Sequence, residues 1–172
     1  MMTRVIIPFL LLVLSGCASV TGYHFEPDST NDAKALISYS VDDFEGDSWL
    51  RTEPVVNMGH ANAVYHLRAH YGRDNALTFI QVYVNFRTSD WYFFNDAVMK
   101  AENVRFIPID REVVSGGYVH EDFAIEIDLE TLKRMSGKDT LIKLKGKRGE
   151  YVFSTNKYLS SAFLAELENR NI

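Results

Sequence analysis

The sequence predicts a mainly β (α+β) domain, an antiparallel β-sandwich or barrel-like fold with a C-terminal amphipathic helix. Three observations predict it. From Ala35 onward, short runs of β-branched and aromatic residues are punctuated by turn residues at intervals of roughly 8–12 positions, the texture of sandwiches and barrels. Two long runs, Ala63–Tyr71 and Leu77–Arg87, alternate with period two, as half-buried strands do. The last stretch instead spaces Leu159, Phe163 and Leu167 four apart, which is one face of a helix.

Taken in order, Ala35–Val41 is a first strand and Trp49–Asn57 a second, with Pro54 implying an edge or bulge position. Between them, Asp42-Asp43-Phe44-Glu45-Gly46-Asp47 reads as an acidic turn. It fails as a calcium loop: with Asp43 first, Ser48 stands where the loop needs Gly and Pro54 where it needs the bidentate Glu. After a turn at Gly59–Asn62, Ala63, Tyr65, Leu67, Ala69 and Tyr71 face one way, and Val64, His66, Arg68 and His70 the other. On a strand, His66 and His70 are about 13 Å apart at 3.3 Å per residue, too far to chelate one ion.

The strongest strand follows the turn Arg73-Asp74-Asn75. Ile80, Val82, Val84 and Phe86 make its apolar face, and Phe79, Gln81, Tyr83 and Asn85 a mixed one, so it belongs at the centre of a sheet. Thr88-Ser89-Asp90 turns it into Trp91-Tyr92-Phe93-Phe94, giving an expected hairpin over residues 77–94 in which the aromatic block packs half into the core. Ala97–Pro108 reads as a strand pair broken near Glu102-Asn103, and Ile109–Val114 leads through Ser115-Gly116-Gly117 into Tyr118–Leu129. There Phe123, Ile125, Ile127 and Leu129 point inward and Asp122, Glu126, Asp128 and Glu130 outward. Leu129–Met135 forms one or two helical turns ending at Gly137. Thr140–Lys147 alternates again, with Lys143, Lys145 and Lys147 outward, and turns at Lys147-Arg148-Gly149 into a last strand. If the acidic and basic rows lie on neighbouring strands they pair across the sheet; Lys143, Lys145, Lys147 and Arg148 otherwise form a basic strip suited to lipid headgroups. Thr155 or Asn156 caps the final helix.

Composition bounds the function. The chain has 172 residues with 18 Lys and Arg against 23 Asp and Glu, a net charge of −5, which argues against generic nucleic-acid binding. One cysteine excludes an intramolecular disulfide. No Gly-x-Ser-x-Gly elbow, His-Glu-x-x-His, phosphate-cradling glycine loop, or Cys/His set with zinc spacing is present, so no catalytic, metal or cofactor residue is assigned. Acids meeting only in space, such as Asp43 with Glu121, escape such a search.

The single cysteine lies in Leu14-Ser15-Gly16-Cys17, preceded by Arg4 and the apolar run Val5–Leu14. That run is about ten residues, short of the roughly 20 that span a bilayer. The four residues resemble the lipobox of bacterial lipoproteins, a leucine and two small residues before the cysteine that is lipidated. The resemblance implies that residues 1–16 are a signal peptide and that Cys17 becomes an acylated N-terminus held on the membrane by two or more chains. It implies export to the outer membrane, facing the periplasm, because Ala18 and Ser19 follow the cysteine where an inner-membrane protein has Asp. Ala18–Lys34 is rich in Ser, Thr, Asp, Asn, Gly and Pro and reads as a flexible tether, leaving residues 35–172 as a single β-rich domain. Val41–Leu167 is also loosely similar to small exported bacterial domains through Asp43-Phe44-Glu45-Gly46, Trp91–Phe94 and Gly146-Lys147-Arg148-Gly149; that likeness implies no activity.

The expectation is a non-catalytic binding or assembly module of the cell envelope, with the membrane and an envelope protein as partners. A carrier or sensor for a small apolar ligand or lipid is the alternative, favoured by a large enclosed apolar cavity. An envelope hydrolase is the third, favoured by a cleft joining His66, His70 or His120 to two carboxylates.

Overall fold

The computed structural model describes residues 22–100 and 102–170. The expected signal peptide, Cys17 and the first residues of the expected tether lie outside the described residues. The fold is mainly β, with two sheets and a C-terminal helix, sandwich-like rather than a closed barrel.

The large, eight-stranded sheet is built on β5 (Ala63–Tyr71), β6 (Leu77–Thr88) and β9 (Tyr118–Ile127), antiparallel neighbours in that order. The alternation read from sequence sets their faces: Leu67, Val82 and Ile125 stand opposite one another in one inward row, and Tyr65, Val84 and Phe123 in the next. All six are buried. A turn held by the Gly72 N–H to the Ala76 carbonyl (2.9 Å), with Asn75 at φ 59°, joins β5 to β6. Gly116 and Gly117, both at positive φ, make the hairpin between β8 (Arg105–Val114) and β9. Around Pro54 the second expected strand divides into β3 (Ser48–Thr52) and β4 (Val55–Val56), both paired to β5. The edge strand β2 (Ile37–Val41) pairs with β3.

The small sheet, in the order β11 (Gly149–Thr155), β10 (Thr140–Gly146) and β7 (Phe94–Met99), faces the same core through Phe153, Ile142, Leu144 and Met99. Beside it lies α3 (Lys157–Arg170), whose first turn is capped by Asn156 Oδ1 accepting the Leu159 N–H at 3.0 Å. Its Leu159, Phe163 and Leu167 are fully buried, as the four-residue spacing predicts. Helix α2 (Leu129–Gly137), capped by Asp128, packs on α3.

Three expectations are corrected. Residues 77–94 do not form a hairpin: β6 ends at Thr88, Trp91–Phe93 are irregular, and Phe94 opens β7 in the other sheet. The cause is Glu121, which sits in the inward row of β9 opposite Phe86 and is 1% exposed. Its carboxylate accepts the backbone N–H groups of Tyr92 (2.6 Å), Phe93 (2.9 Å) and Phe94 (2.9 Å), donors that a β-ladder would otherwise use. Arg111 completes the arrangement, giving Nε to Glu121 (3.1 Å) and Nη2 to the Phe94 carbonyl (2.6 Å). Arg111 reaches inward because an extra residue at Ile109 shifts the β8 register, so that Arg111 rather than Asp110 stands opposite Glu121. On the far side Gly146 touches the Tyr92 carbonyl so closely that any Cβ would collide with it.

Second, Ala97–Pro108 is not a strand pair: β7 ends at Met99, and residues from Arg105 belong to β8 in the large sheet. The acidic and basic rows are therefore in different sheets, and Lys143 and Lys145 pair with Glu150 (3.0 Å) and Asp96 (3.3 Å) instead. Third, the second half of the expected tether is docked. His24–Phe25 (β1) pair parallel to β4, and Thr30–Lys34 (α1) pack on α3 through the buried Ala33. Glu26 accepts from Tyr65 Oη (2.7 Å) and from Asn57 Nδ2, and Asn156 Nδ2 donates to the Pro27 carbonyl (3.2 Å). Those contacts are polar, so no hydrophobic period marked them.

Glu121→Gln turns an NH2 toward donors that now meet a carboxylate oxygen. A buried backbone donor left without a full acceptor costs about 1–3 kcal/mol, while Arg111, 38% exposed, keeps access to water. The expected outcome is a loss on that scale in the unfolding free energy measured with urea; a change near zero would remove Glu121 from its place in this account.

Candidate binding face

The inward rows of the large sheet are covered by the small sheet and α3. The outward rows of β3, β5, β6, β9 and β8 are absent from that core and form one face of the molecule. Strand register arranges the face in cross-strand lines. Trp49, His70 and Phe79 stand side by side on β3, β5 and β6. The next line runs Arg51, Arg68, Gln81, Glu126, Arg105 across all five strands, and the one after places His66, Tyr83, Ala124 and Ile107 together.

The first line is an aromatic stack. His70 lies parallel to Phe79 at 5.3 Å, and Trp49 meets His70 at 4.6 Å and Phe79 at 5.6 Å. His70 is fixed at both nitrogens, Nε2 to Asp47 Oδ2 (2.6 Å) and Nδ1 to Thr78 Oγ1 (2.7 Å). This resembles an acid–histidine–hydroxyl chain in composition only. Thr78 Oγ1 is also held by the His70 carbonyl (3.0 Å), so the hydroxyl is tied to the strand backbone as well as to the ring.

In the second line the two ends differ. Glu126 accepts from Arg105 (2.7 Å) and from Gln81 (3.3 Å), so the β9–β8 end alternates in charge. At the β3–β5 end Arg51 stands directly opposite Arg68, like charges on adjacent strands, an unfavourable pairing. Arg68 is half-buried; its Nε and Nη2 both donate to Gln81 Oε1 (2.9 and 2.8 Å), and its guanidinium lies 4.6 Å over Tyr83. Arg51 lies 4.3 Å over Trp49. Among the described residues neither guanidinium is ion-paired to a carboxylate. The consequence is felt next door: burial first, then the charges of Arg68 and Arg51, push His66 down from 6.5 to about 4. His66 is therefore neutral at pH 7, stacked on Tyr83 at 4.9 Å.

Beyond Arg51 and Trp49 the face dips into a recess of about 390 Å3 under the tip of the β2–β3 hairpin, walled by Val41, Asp43 and Phe44. Asp42 is turned into that tip. It accepts the N–H groups of Phe44 (2.8 Å) and Glu45 (3.1 Å), bonds that lower its carboxyl below the ordinary value. Phe44 is 100% exposed.

The other sequence candidates lie apart. Asp43, at the hairpin tip, and Glu121, inside the sandwich opposite Phe86, are at opposite ends of the sheet and do not meet. His120 is 3.6 Å from Glu112 at the β8–β9 end. Lys143 and Lys145 sit on the outer face of the small sheet in ion pairs, and Arg148 lies 5.4 Å over Phe93. Among the described residues no group of three His, Cys, Asp or Glu side chains is placed to hold a metal ion, and no helix is long and apolar enough to cross a membrane. A larger cleft of about 640 Å3 opens between α2 and β10, but Glu102, Thr131 and Arg134 on its wall bond one another. Sequence reasoning placed His66, Arg68, Gln81 and Tyr83 outward and missed Arg51 with Trp49. The available signal was arginine and aromatic side chains at outward positions where an ordinary solvent face carries Lys and Glu.

The depressed His66 value fixes a pH dependence. The unfolded chain takes up this proton near 6.5 and the folded chain near 4, so stability is undiminished above about 6.5, falls as the pH drops through that window, and levels off below about 4. The loss attributable to His66 is about 3 kcal/mol. Urea unfolding at a series of pH values is expected to show it, and His66→Gln to flatten that part of the profile. Compared with known family models, curated proteins and solved structures, the chain matches none.

Proposed function

We propose that the chain is a lipid-anchored, non-catalytic binding or assembly module on the periplasmic side of the outer membrane, meeting its partner through the outward face of the large sheet. The observation that carries this reading is the half-buried line of arginines and aromatic rings from Trp49 to Tyr83, held in register by three strands and outside the core. Rigid backbone under cationic and aromatic side chains is the make-up of a recognition surface. The interior supports surface recognition over a carrier, because Phe86, Phe94, Phe123 and Phe153 fill the space between the sheets. The non-catalytic part is supported by the use already made of acid–base groups: Glu121 serves backbone N–H groups, and His70 is tied at both nitrogens. The anchor rests on the lipobox-like Leu14–Cys17.

Cell fractionation of the full chain and of Cys17→Ser tests the anchor. The unaltered chain is expected with the outer membrane and the variant in the soluble periplasm; a variant that stays with the membrane defeats the anchoring reading. In-cell crosslinking from a photoreactive residue at position 49 tests the face, against one at position 152 on the outside of the small sheet. A single envelope component captured only from position 49 is the expected result; equal capture from both positions would overturn the assignment.

A further inference from the structure

The outward face carries an electrostatic imbalance that the fold does not resolve. Along the line from β3 to β8 there are three arginines and one glutamate, and that glutamate lies at the end away from Arg51 and Arg68, bonded to Arg105 and Gln81. The chain as a whole carries −5, so a positive patch here is local and not a reflection of composition. Arg51 and Arg68 face each other across a strand pair, where like charges are unfavourable. Both are pre-positioned: Arg51 by the Trp49 ring, Arg68 by Gln81 and the Tyr83 ring, so little side-chain freedom is lost when a ligand arrives. Gln81 takes Nε and one Nη2 hydrogen of Arg68, leaving Nη1 without a hydrogen-bond partner, and the Arg51 guanidinium makes no hydrogen bond, among the described residues.

We propose that Arg51 and Arg68 together form a binding site for an oxyanion, a carboxylate or phosphate group carried by a small molecule whose body lies in the recess between Trp49 and Phe44. This deepens the binding-module reading and rests on its choice of face, but not on the anchor. An oxyanion between the two guanidiniums accepts charge-assisted hydrogen bonds from both and relieves their mutual repulsion, which a neutral ligand leaves in place. The depressed His66 is the internal reporter of that repulsion: burial and the two arginines hold it neutral, and a bound anion raises it toward its ordinary range. The carboxylates nearby are accounted for. Asp42 is engaged by the backbone of its own turn, Asp47 by His70, Glu126 by Arg105 and Gln81, and Asp122 by Asn85 and Tyr83, with Asp110 beside it on β8; Asp43, on the recess wall, opposes an anion there.

The test uses the full chain in non-ionic detergent with Trp91→Phe, which leaves Trp49 as the sole tryptophan of the two in the sequence. Inorganic phosphate, glucuronate and glucose are titrated at constant ionic strength while Trp49 emission is followed. Phosphate and glucuronate are expected to give saturable changes and glucose none; tighter binding of phosphate alone assigns the group as phosphate, and tighter binding of glucuronate assigns it as a carboxylate on a ring. Arg51→Gln and Arg68→Gln are each expected to weaken binding about tenfold or more, and Asp43→Asn to strengthen it. Arg51→Gln should leave the melting temperature unchanged or raised, since it removes a like-charge neighbour. Lys145→Gln on the other sheet should leave affinity as it was. If Arg68→Gln unfolds the chain, Arg51→Gln decides alone. No response to either anion, or an equal effect of Arg51→Gln and Lys145→Gln, overturns the proposal, and neither result bears on Cys17.

Discussion

The Glu121 carboxylate accepts three successive backbone N–H groups where the chain first passes from the large sheet to the small one, and both sheets are arranged around that contact. A segment holding Trp91, Tyr92, Phe93 and Phe94 has every tendency to continue as a strand beside β6. Sequestering its donors on one buried side chain removes the ladder bonds that would keep it there, and Phe94 enters a different sheet. Other features then follow. Phe86, Phe94 and Phe123 meet edge to face across the interior, the Ile109 bulge turns Arg111 inward, and glycine is required at 146. Phe94 therefore serves the joint between layers, with Trp91, Tyr92 and Phe93 part-exposed beside it.

With the interior closed by that joint, the large sheet has one face left, and its energetics differ from those of an ordinary solvent surface. Exposed sheet faces usually alternate charge or carry short polar residues; the outside of the small sheet has lysine–carboxylate pairs interspersed with Val98, Leu141 and Val152. The outer face of β3, β5 and β6 instead holds bulky rings in contact and two guanidiniums stacked on them. Guanidinium tolerates this arrangement because it is weakly hydrated and planar, so it shares an aromatic face without losing its charge.

Much of the fold was legible because β5, β6, β9, β10 and α3 each bury one face, and burial of one face imposes a period on the sequence. Leu67, Val82, Ile125, Leu144 and Phe163 could be placed inward from spacing alone. What was not legible had no period. Glu121 occupies an inward position that alternation assigns to an apolar residue, and only its partners, 27 to 29 positions earlier, explain it. The Ile109 bulge moves a register by one residue without changing composition. Residues 24–34 are held by Glu26, Asn57 and Asn156, whose polar character read as a linker. The candidate face was half visible: periodicity put Arg68 and Tyr83 on the outside, but the pairing that brings Arg51 against Arg68 depends on β3 lying beside β5, a long-range fact.

The parallel pairing of His24–Phe25 with β4 alters how the domain would stand on a membrane. A free linker through Lys34 would give the body wide latitude in height and orientation above the lipid. With the chain fixed at His24, the seven Cα–Cα steps from Cys17 span at most about 25 Å when fully extended. An acyl group on Cys17 would then hold the sheet edge near β1 and β4 close to the headgroups and restrict rotation.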